Sequence, residues 1–278
     1  MQFGIFAKTF AGQGTQLGAQ NVLQAARAAG YACAQFNMAC VGLPSMPDVI
    51  APAVAEGIAR ASAATGVAIA AISGTYNMIH PDPAQRAAGL RRLGVIIGAA
   101  RAMGTRLVTL CTGTRDPHDQ WRHHPDNASA EAWRDLVTEM AKAAALAETA
   151  DVDLGIEPEL ANVVSDAAKV RRLIDELRSP CLRIVLDPAN LFETAAPEAR
   201  RTIIEGAVDL LAGRIAMAHA KDRDAAGGFV AAGHGVIDFP HFVQCLRAAG
   251  FAGPLVTHGL SEAEAPAVAA FLKQVTAA

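Results

Sequence analysis

The sequence predicts an α/β protein, a closed (β/α)8 TIM barrel in which residues 1–278 form a single domain. Two observations lead there. Short apolar runs of strand length alternate with longer helix-like stretches from end to end, eight of each, and such alternation builds parallel sheets. The chain of 278 residues also has the length of one such barrel, roughly 250 residues. The strand candidates are residues 2–7, 31–37, 67–73, 106–110, 153–157, 183–187, 215–219 and 254–258. The helix candidates between them are residues 16–28, 48–64, 84–102, 129–150, 165–177, 198–211, 240–249 and 262–275.

Each unit carries its own punctuation. Ala29-Gly30 ends the first helix, Thr65-Gly66 the second and Met103-Gly104 the third, because glycine takes the left-handed conformation that closes a helix. Ser129, followed by Trp133 and Asp135, reads as the N-cap of the fourth helix, and Ser165 followed by Asp166 as that of the fifth. Ala249-Gly250 stops the seventh. The longest loop is residues 111–128, between the fourth strand and the fourth helix; a loop of that length in a compact domain is usually functional. The competing fold is an open doubly wound sheet, which would show a glycine-rich phosphate turn after the first strand. Gly12-Gln13-Gly14 begins one, but Gly18 falls one place late for GxGxxG.

Composition narrows the function. With 52% hydrophobic and 18% charged residues the chain can bury a large core, and its net charge of -3 comes with no basic stripe. Nucleic-acid binding therefore gets no electrostatic support. The cysteines, at positions 33, 40, 111, 181 and 245, are odd in number and form no CxxC pair. They read as reduced, mostly buried thiols of a cytoplasmic protein. No basic n-region precedes the first strand, so no signal peptide is expected, and no apolar run reaches the ~18 residues of a membrane span.

Four of the apolar runs end in a residue that can ligate a metal. Asp153-Leu154-Gly155-Ile156 runs into Glu157, Arg183-Ile184-Val185-Leu186 into Asp187, Ile215-Ala216-Met217-Ala218 into His219, and Pro254-Leu255-Val256-Thr257 into His258. In a parallel barrel these are the carboxyl ends of successive strands, where ligands bind. A buried strand gains no stability by ending in a charge, so the repetition points to a site. The alternative is a set of polar residues capping helices or pairing with nearby Arg and Lys. Two carboxylates and two imidazoles suit Mn²⁺, Zn²⁺, Co²⁺ or Fe²⁺ better than all-oxygen sites of the Mg²⁺ or Ca²⁺ type.

The chain resembles the sugar phosphate isomerase/epimerase superfamily, the xylose isomerase-like TIM barrels. The matching pieces are Gly155-Ile156-Glu157-Pro158, Leu186-Asp187-Pro188-Ala189-Asn190, His219-Ala220-Lys221-Asp222 and Gly233-His234-Gly235-Val236-Ile237-Asp238-Phe239, with Cys111-Thr112-Gly113-Thr114-Arg115-Asp116 and Gly250-Phe251-Ala252-Gly253-Pro254 also similar. That group includes ketose 3-epimerases, hydroxypyruvate isomerase, inosose dehydratase and the apurinic endonucleases. The resemblance implies one divalent metal ion, Mn²⁺ foremost with Zn²⁺, Co²⁺, Fe²⁺ or Mg²⁺ as alternatives, held by a Glu, an Asp, a His and a final Glu. The first and last Glu would exchange a proton with the sugar through an enediolate. Glu157, Asp187 and His219 match the first three positions, but the fourth is His258. Imidazole can ligate and can move a proton near neutral pH. The substitution leaves open a one-base isomerisation, a dehydration or an altered epimerisation. The apurinic endonucleases carry a further His three residues after the Asp, and Asn190 stands there instead.

Other residues fall at the expected top face. Lys221 resembles the family's lysine in HxKD and is a candidate to stabilise an enolate oxygen; the competing role is a salt bridge to Asp222 or Asp187. His80, after Asn77 in the third loop, could bind a sugar hydroxyl or serve the turn around Pro81 and Pro83. Trp121 and His124 lie in the long loop, where an aromatic can cover a sugar's apolar face or anchor the loop on the barrel. Asn190 is expected beside the substrate, whereas Cys111 reads as packing. The expected protein is thus a metal-dependent isomerase or epimerase of a sugar or related hydroxy-keto compound, with Glu157, His258 and Lys221 catalytic. Its partner is a small carbohydrate, neither nucleic acid nor membrane, and the family suggests a homodimer or homotetramer. A lyase of the inosose dehydratase type and a non-catalytic sugar-binding barrel are the alternatives.

Overall fold

The computed structural model describes residues 1–12 and 16–277; Gln13 and Gly14 of the incomplete glycine-rich turn lie outside them. The first half of the chain supplies β1 (Phe3–Phe6), α1 (Ala19–Ala28), β2 (Cys33–Phe36), α2 (Pro52–Thr65), β3 (Ala68–Ser73), α3 (Pro83–Ala100), β4 (Leu107–Cys111) and α4 (Ala130–Ala150). The second half supplies β5 (Asp153–Glu157), α5 (Ala167–Leu177), β6 (Leu182–Leu186), α6 (Pro197–Leu210), β7 (Ile215–Arg223), β8 (Phe229–Ala231), α7 (Phe239–Ala248), β9 (Leu255–Thr257) and α8 (Ala265–Ala277). Parallel pairing runs β1 through β7 in order, then β7 to β9 and β9 back to β1, so eight strands close a barrel. The eight helices wrap it, and among the described residues no helix is long and apolar enough to cross a membrane.

Local chemistry sets the boundaries. Pro52 sits in the first turn of α2, which moves its start four residues past the predicted position 48. Gly66 closes that helix at φ 69°. Ser129 caps α4 by accepting from Ala132 N at 3.0 Å. At α5 the cap is Asp166, accepting from Lys169 N at 2.8 Å, one residue beyond the predicted Ser165. The strand predicted at 215–219 continues to Arg223 because β8, which the sequence pattern does not reveal, folds back and pairs antiparallel with it. Asp224 closes that hairpin, its carboxylate accepting from Ala226 N at 2.9 Å and Gly228 N at 2.8 Å.

Inside the barrel the strands stack in layers, because inward side chains recur every second residue. Ala71, Leu107, Val185, Met217 and Val256 form one apolar layer. Gly4, Cys33 and Gly155 complete it; a Cβ on Gly155 would stand 2.8 Å from Val185 Cγ2, and one on Gly4 2.7 Å from Cys33 Sγ. Two residues further along each strand comes the next inward layer: Phe6, Gln35, Ser73, Thr109, Glu157, Asp187, His219 and His258. The floor is apolar and filled, so the polar layer above it is the base of the opening.

Candidate metal centre and cavity

One ligand atom from each of Glu157, Asp187, His219 and His258 lies within 4.8 Å of the other three. Glu157 ends β5, and Asp187 caps the 3-10 turn after β6 with Oδ1 accepting from Ala189 N at 2.9 Å. That leaves Oδ2 facing inward. His219 Nδ1 stands 3.2 Å from Glu157 Oε1 and 3.7 Å from Asp187 Oδ2, and His258 Nε2 stands 3.2 Å from Asp187 Oδ2. Lys221 Nζ completes the group at 3.1 Å from the same oxygen. The predicted convergence of the four side chains is therefore present, and of the two salt-bridge partners weighed for Lys221 the structure provides Asp187.

Two buried carboxylates need compensating charge. Burial pushes the Glu157 carboxyl up, but the His219 imidazolium and its hydrogen bond win and hold it below the usual carboxylate range. Asp187 goes further down: burial opposes, and the Lys221 ammonium with both imidazoles overrides it. Burial alone would depress His219, yet the Glu157 and Asp187 carboxylates raise it to about 9. His258 moves the other way. Burial first, then the His219 and Lys221 charges, hold it below its ordinary value despite the Asp187 hydrogen bond. Lys221 is raised, its burial outweighed by Asp187, Glu157 and Glu159.

This donor set fits a divalent cation. Ligand atoms at about 2.1 Å from one ion, at angles near tetrahedral or octahedral, stand roughly 3.0–3.4 Å apart; three of the spacings, 3.2, 3.7 and 3.2 Å, lie close to that, and all four donors fall within 4.8 Å of one another.

The cluster opens into a cavity of 450 Å³. Glu157, Glu159, His219, Lys221 and His258 line one side; the other is polar, with Lys8, Gln35, Asn37, Ser45, Ser73, Thr75 and Thr109. Trp121, 52% exposed, and Phe229, 50% exposed, also line it. Phe229 covers Lys221 and Arg223, each cation 4.0 Å from the ring centre. Cys111 Sγ lies 4.0 Å from Glu157 Oε2. Burial and then the Glu157 and Glu159 charges keep its thiol well above the ordinary value, so it is no nucleophile.

Three predicted substrate contacts are placed elsewhere. His80 shapes its own loop, with Nε2 3.1 Å from Pro117 O and Nδ1 accepting from Asp82 N at 3.0 Å, and it faces a surface depression that adjoins the cavity at Gln120 and Trp121. His124 caps the short 3-10 turn of Pro125–Ala128, accepting from Asp126 N. Asn190 is buried between two cluster members: its Nδ2 donates to Glu157 Oε1 at 2.9 Å, and its Oδ1 accepts from Lys221 Nζ at 2.9 Å. It orients the base and the lysine rather than lining the cavity. Conversely, Gln35, Ser73, Thr109, Glu159 and Phe229 were not singled out from sequence. Strand parity would find the first three, since each stands two residues beyond a floor residue.

Asp222 explains why the HxKD and Gly233–Phe239 segments occur together. Its buried carboxylate accepts from Arg223 N, Gly233 N, Gly235 N and Ile237 N at 2.8 to 3.1 Å. A Cβ on Gly235 would overlap the Arg223 carbonyl oxygen and Asp222 Oδ1. The segment therefore clamps the end of β7 that carries His219 and Lys221.

A family model described as xylose isomerase-like TIM barrel matches residues 23–275. No curated protein matches the chain. Among solved structures, an L-ribulose 3-epimerase superposes with a TM-score of 0.76 at 21% identity, covering 99% of this chain and 94% of that one. A 3-keto-D-glucoside 4-epimerase from E. coli gives 0.75 at 16% identity, covering 100% of both chains. The probable 3-DHS dehydratase involved in petrobactin synthesis from Bacillus anthracis gives 0.77 at 14% identity, covering 98% and 99%. At these identities the solved structures establish the shared barrel.

Proposed function

From the premise that this chain belongs to the xylose isomerase-like TIM barrel family, we propose that it is a divalent-metal-dependent isomerase or epimerase of a small sugar or related hydroxy-keto compound. The observation that carries the reading is the convergence of Glu157, Asp187, His219 and His258 at the floor of a 450 Å³ cavity. When bound, the ion supplies polarisation of a carbonyl and its neighbouring hydroxyl, which acidifies the carbon between them.

The chain's own residues do the rest. Glu157 removes the proton: Asn190 and His219 hold Oε1, while Oε2 is left towards the cavity. Lys221 places a buried ammonium beside the cluster, where it stabilises negative charge growing on a substrate oxygen. Ser73, Thr75, Asn37 and Ser45 offer hydroxyl and amide partners to the sugar's hydroxyls, and Trp121 covers its apolar face at the mouth. His258, the ligand that replaces the family's second Glu, is held neutral near pH 7 and is the candidate second acid/base. Where His258 only ligates, Glu157 alone returns the proton to the adjacent carbon, giving isomerisation.

A lyase reading has one specific observation behind it. The position that takes the second Glu in the family is an imidazole, and without a second carboxylate the enediolate can expel a β-hydroxyl instead of being reprotonated. Proton NMR in D₂O with Mn²⁺ and a panel of ketoses separates the outcomes. We expect solvent deuterium at the carbon beside the carbonyl of substrate or product. A dehydrated product would establish the lyase, and neither change with any substrate would leave a sugar-binding barrel. Glu157→Gln should retain metal, since the amide oxygen still coordinates, and lose exchange by about two to four orders of magnitude.

A further inference from the structure

We infer that Gln35 is the positioning residue that fixes the tautomer of His219, so that Nδ1 is the nitrogen presented to the metal; the inference rests on the metal-site reading above. His219 is buried, and its two ring nitrogens face opposite ways. Nδ1 points to Glu157 Oε1 and Asp187 Oδ2. Nε2 lies 2.8 Å from Gln35 Oε1.

A neutral imidazole carries one proton, and whichever nitrogen holds it cannot ligate. If Gln35 accepts, the proton stays on Nε2 and the Nδ1 lone pair faces the two carboxylates. If the amide were turned over, its NH₂ would face Nε2. The ring proton would then sit on Nδ1, between the carboxylates, and would exclude a cation.

In the structure the amide takes the first orientation. Gln35 Nε2 donates to Ser73 Oγ and Thr109 Oγ1, each at 3.1 Å, so both amide hydrogens are used on the side away from His219. Gln35, Ser73 and Thr109 occupy the same inward layer as the ligands, on β2, β3 and β4. All three are buried, as is His219. The half of the barrel without ligands thus supplies a relay of hydrogen bonds, hydroxyl pair to amide to imidazole, that aims the ligand in the other half. Outer partners of this kind typically change metal affinity by about 10–100-fold.

The test uses Zn²⁺, which is diamagnetic, on the full chain. Zn²⁺ affinity is measured by competition with a chromophoric chelator, and long-range ¹H–¹⁵N spectra of the Zn²⁺-loaded protein report which ring nitrogen of His219 is protonated. In wild type we expect a protonated Nε2 and a metal-bound Nδ1. Gln35→Met, similar in volume but without an acceptor, should bind Zn²⁺ roughly 10–100-fold more weakly. Gln35→Glu keeps an acceptor at the same reach and should recover most of that loss. Ser73→Ala with Thr109→Val, which leaves Gln35 but frees its amide, should weaken binding in the same direction, and it keeps the inference testable if Gln35→Met does not fold. Zn²⁺ on Nε2 in wild type, or unchanged affinity in both the Gln35→Met and the Ser73/Thr109 variants, would overturn the role of Gln35 alone. Wild-type protein that binds no Zn²⁺ would overturn the metal-site reading and this inference together.

Discussion

Asp187 is the residue on which the cluster turns. Its Oδ1 caps a backbone turn and its Oδ2 faces His219, His258 and Lys221, so one side chain serves both the end of β6 and the site. Asp222 has the same economy without any catalytic part, holding four backbone N–H groups in a buried pocket. Asp222→Asn turns one acceptor oxygen into a donor aimed at donors. It should cost about 2 kcal/mol, within the range for hydrogen bonds to charged groups. Urea unfolding measures this, and a change under roughly half a kcal/mol, the scale of ordinary surface substitutions, would mean the clamp is not needed. His258→Glu restores the family's fourth residue. If His258 moves a proton, the variant should shift products towards epimerisation, read by NMR of the ketose mixture; an unchanged product ratio would restrict His258 to ligation.

At the scale of elements, the sequence made the strand ends legible because a charge or imidazole after an apolar run is a conspicuous break in pattern. Glu157, Asp187, His219 and His258 announce themselves that way. Gln35, Ser73 and Thr109 do not, because small neutral polar residues are common in strands, and only the two-residue spacing from the floor gives them meaning. His80 and His124 are ambiguous in sequence for a different reason: a loop histidine beside a proline looks the same whether it binds a ligand or accepts from its own backbone, as both do here. The loop after β4 is anchored by side chains that meet only in three dimensions. Asp135 on α4 receives Arg86 of α3 at 2.9 Å and Arg115 of the loop at 2.7 Å. Burial pushes the Asp135 carboxyl up, but the Arg115 hydrogen bond and the Arg86 charge prevail and hold it below 3.8. A depressed folded value means this stabilisation is complete above the unfolded value, about 3.9. It is lost as pH falls through the folded one. Asp135→Asn should therefore destabilise by about 1 kcal/mol at pH 7, with the gap to wild type closing below about pH 4. A pH-independent gap in chemical unfolding would assign the loss to packing.

At the scale of the whole molecule, the barrel gathers four residues able to ligate a metal from positions 157 to 258, and closure through β1 and β9 brings the last strand back beside the first. The eight-unit reading anticipated this architecture because alternation and length are properties of the entire chain, whereas β8 was missed because a three-residue strand carries no period. A cation bound there would tie together β5, β6, β7 and the end of β9 and would favour the folded state by mass action. At a hundredfold excess over Kd the gain is about 2.7 kcal/mol, which should raise Tm by roughly 5–10 °C for a chain of this size. Thermal unfolding with MnCl₂ and then with excess EDTA checks this; an unmoved Tm would count against tight binding.

The central claim is that Glu157, Asp187, His219 and His258 hold one divalent ion. Anomalous diffraction from a crystal soaked in Mn²⁺ tests it most directly. We expect a single strong peak at the base of the cavity, within roughly 2.0–2.5 Å of a carboxylate oxygen of Glu157 and of Asp187, His219 Nδ1 and a nitrogen of His258. A peak that leaves His258 turned away with another carboxylate in its place, or no peak at the cluster at saturating Mn²⁺, would contradict it.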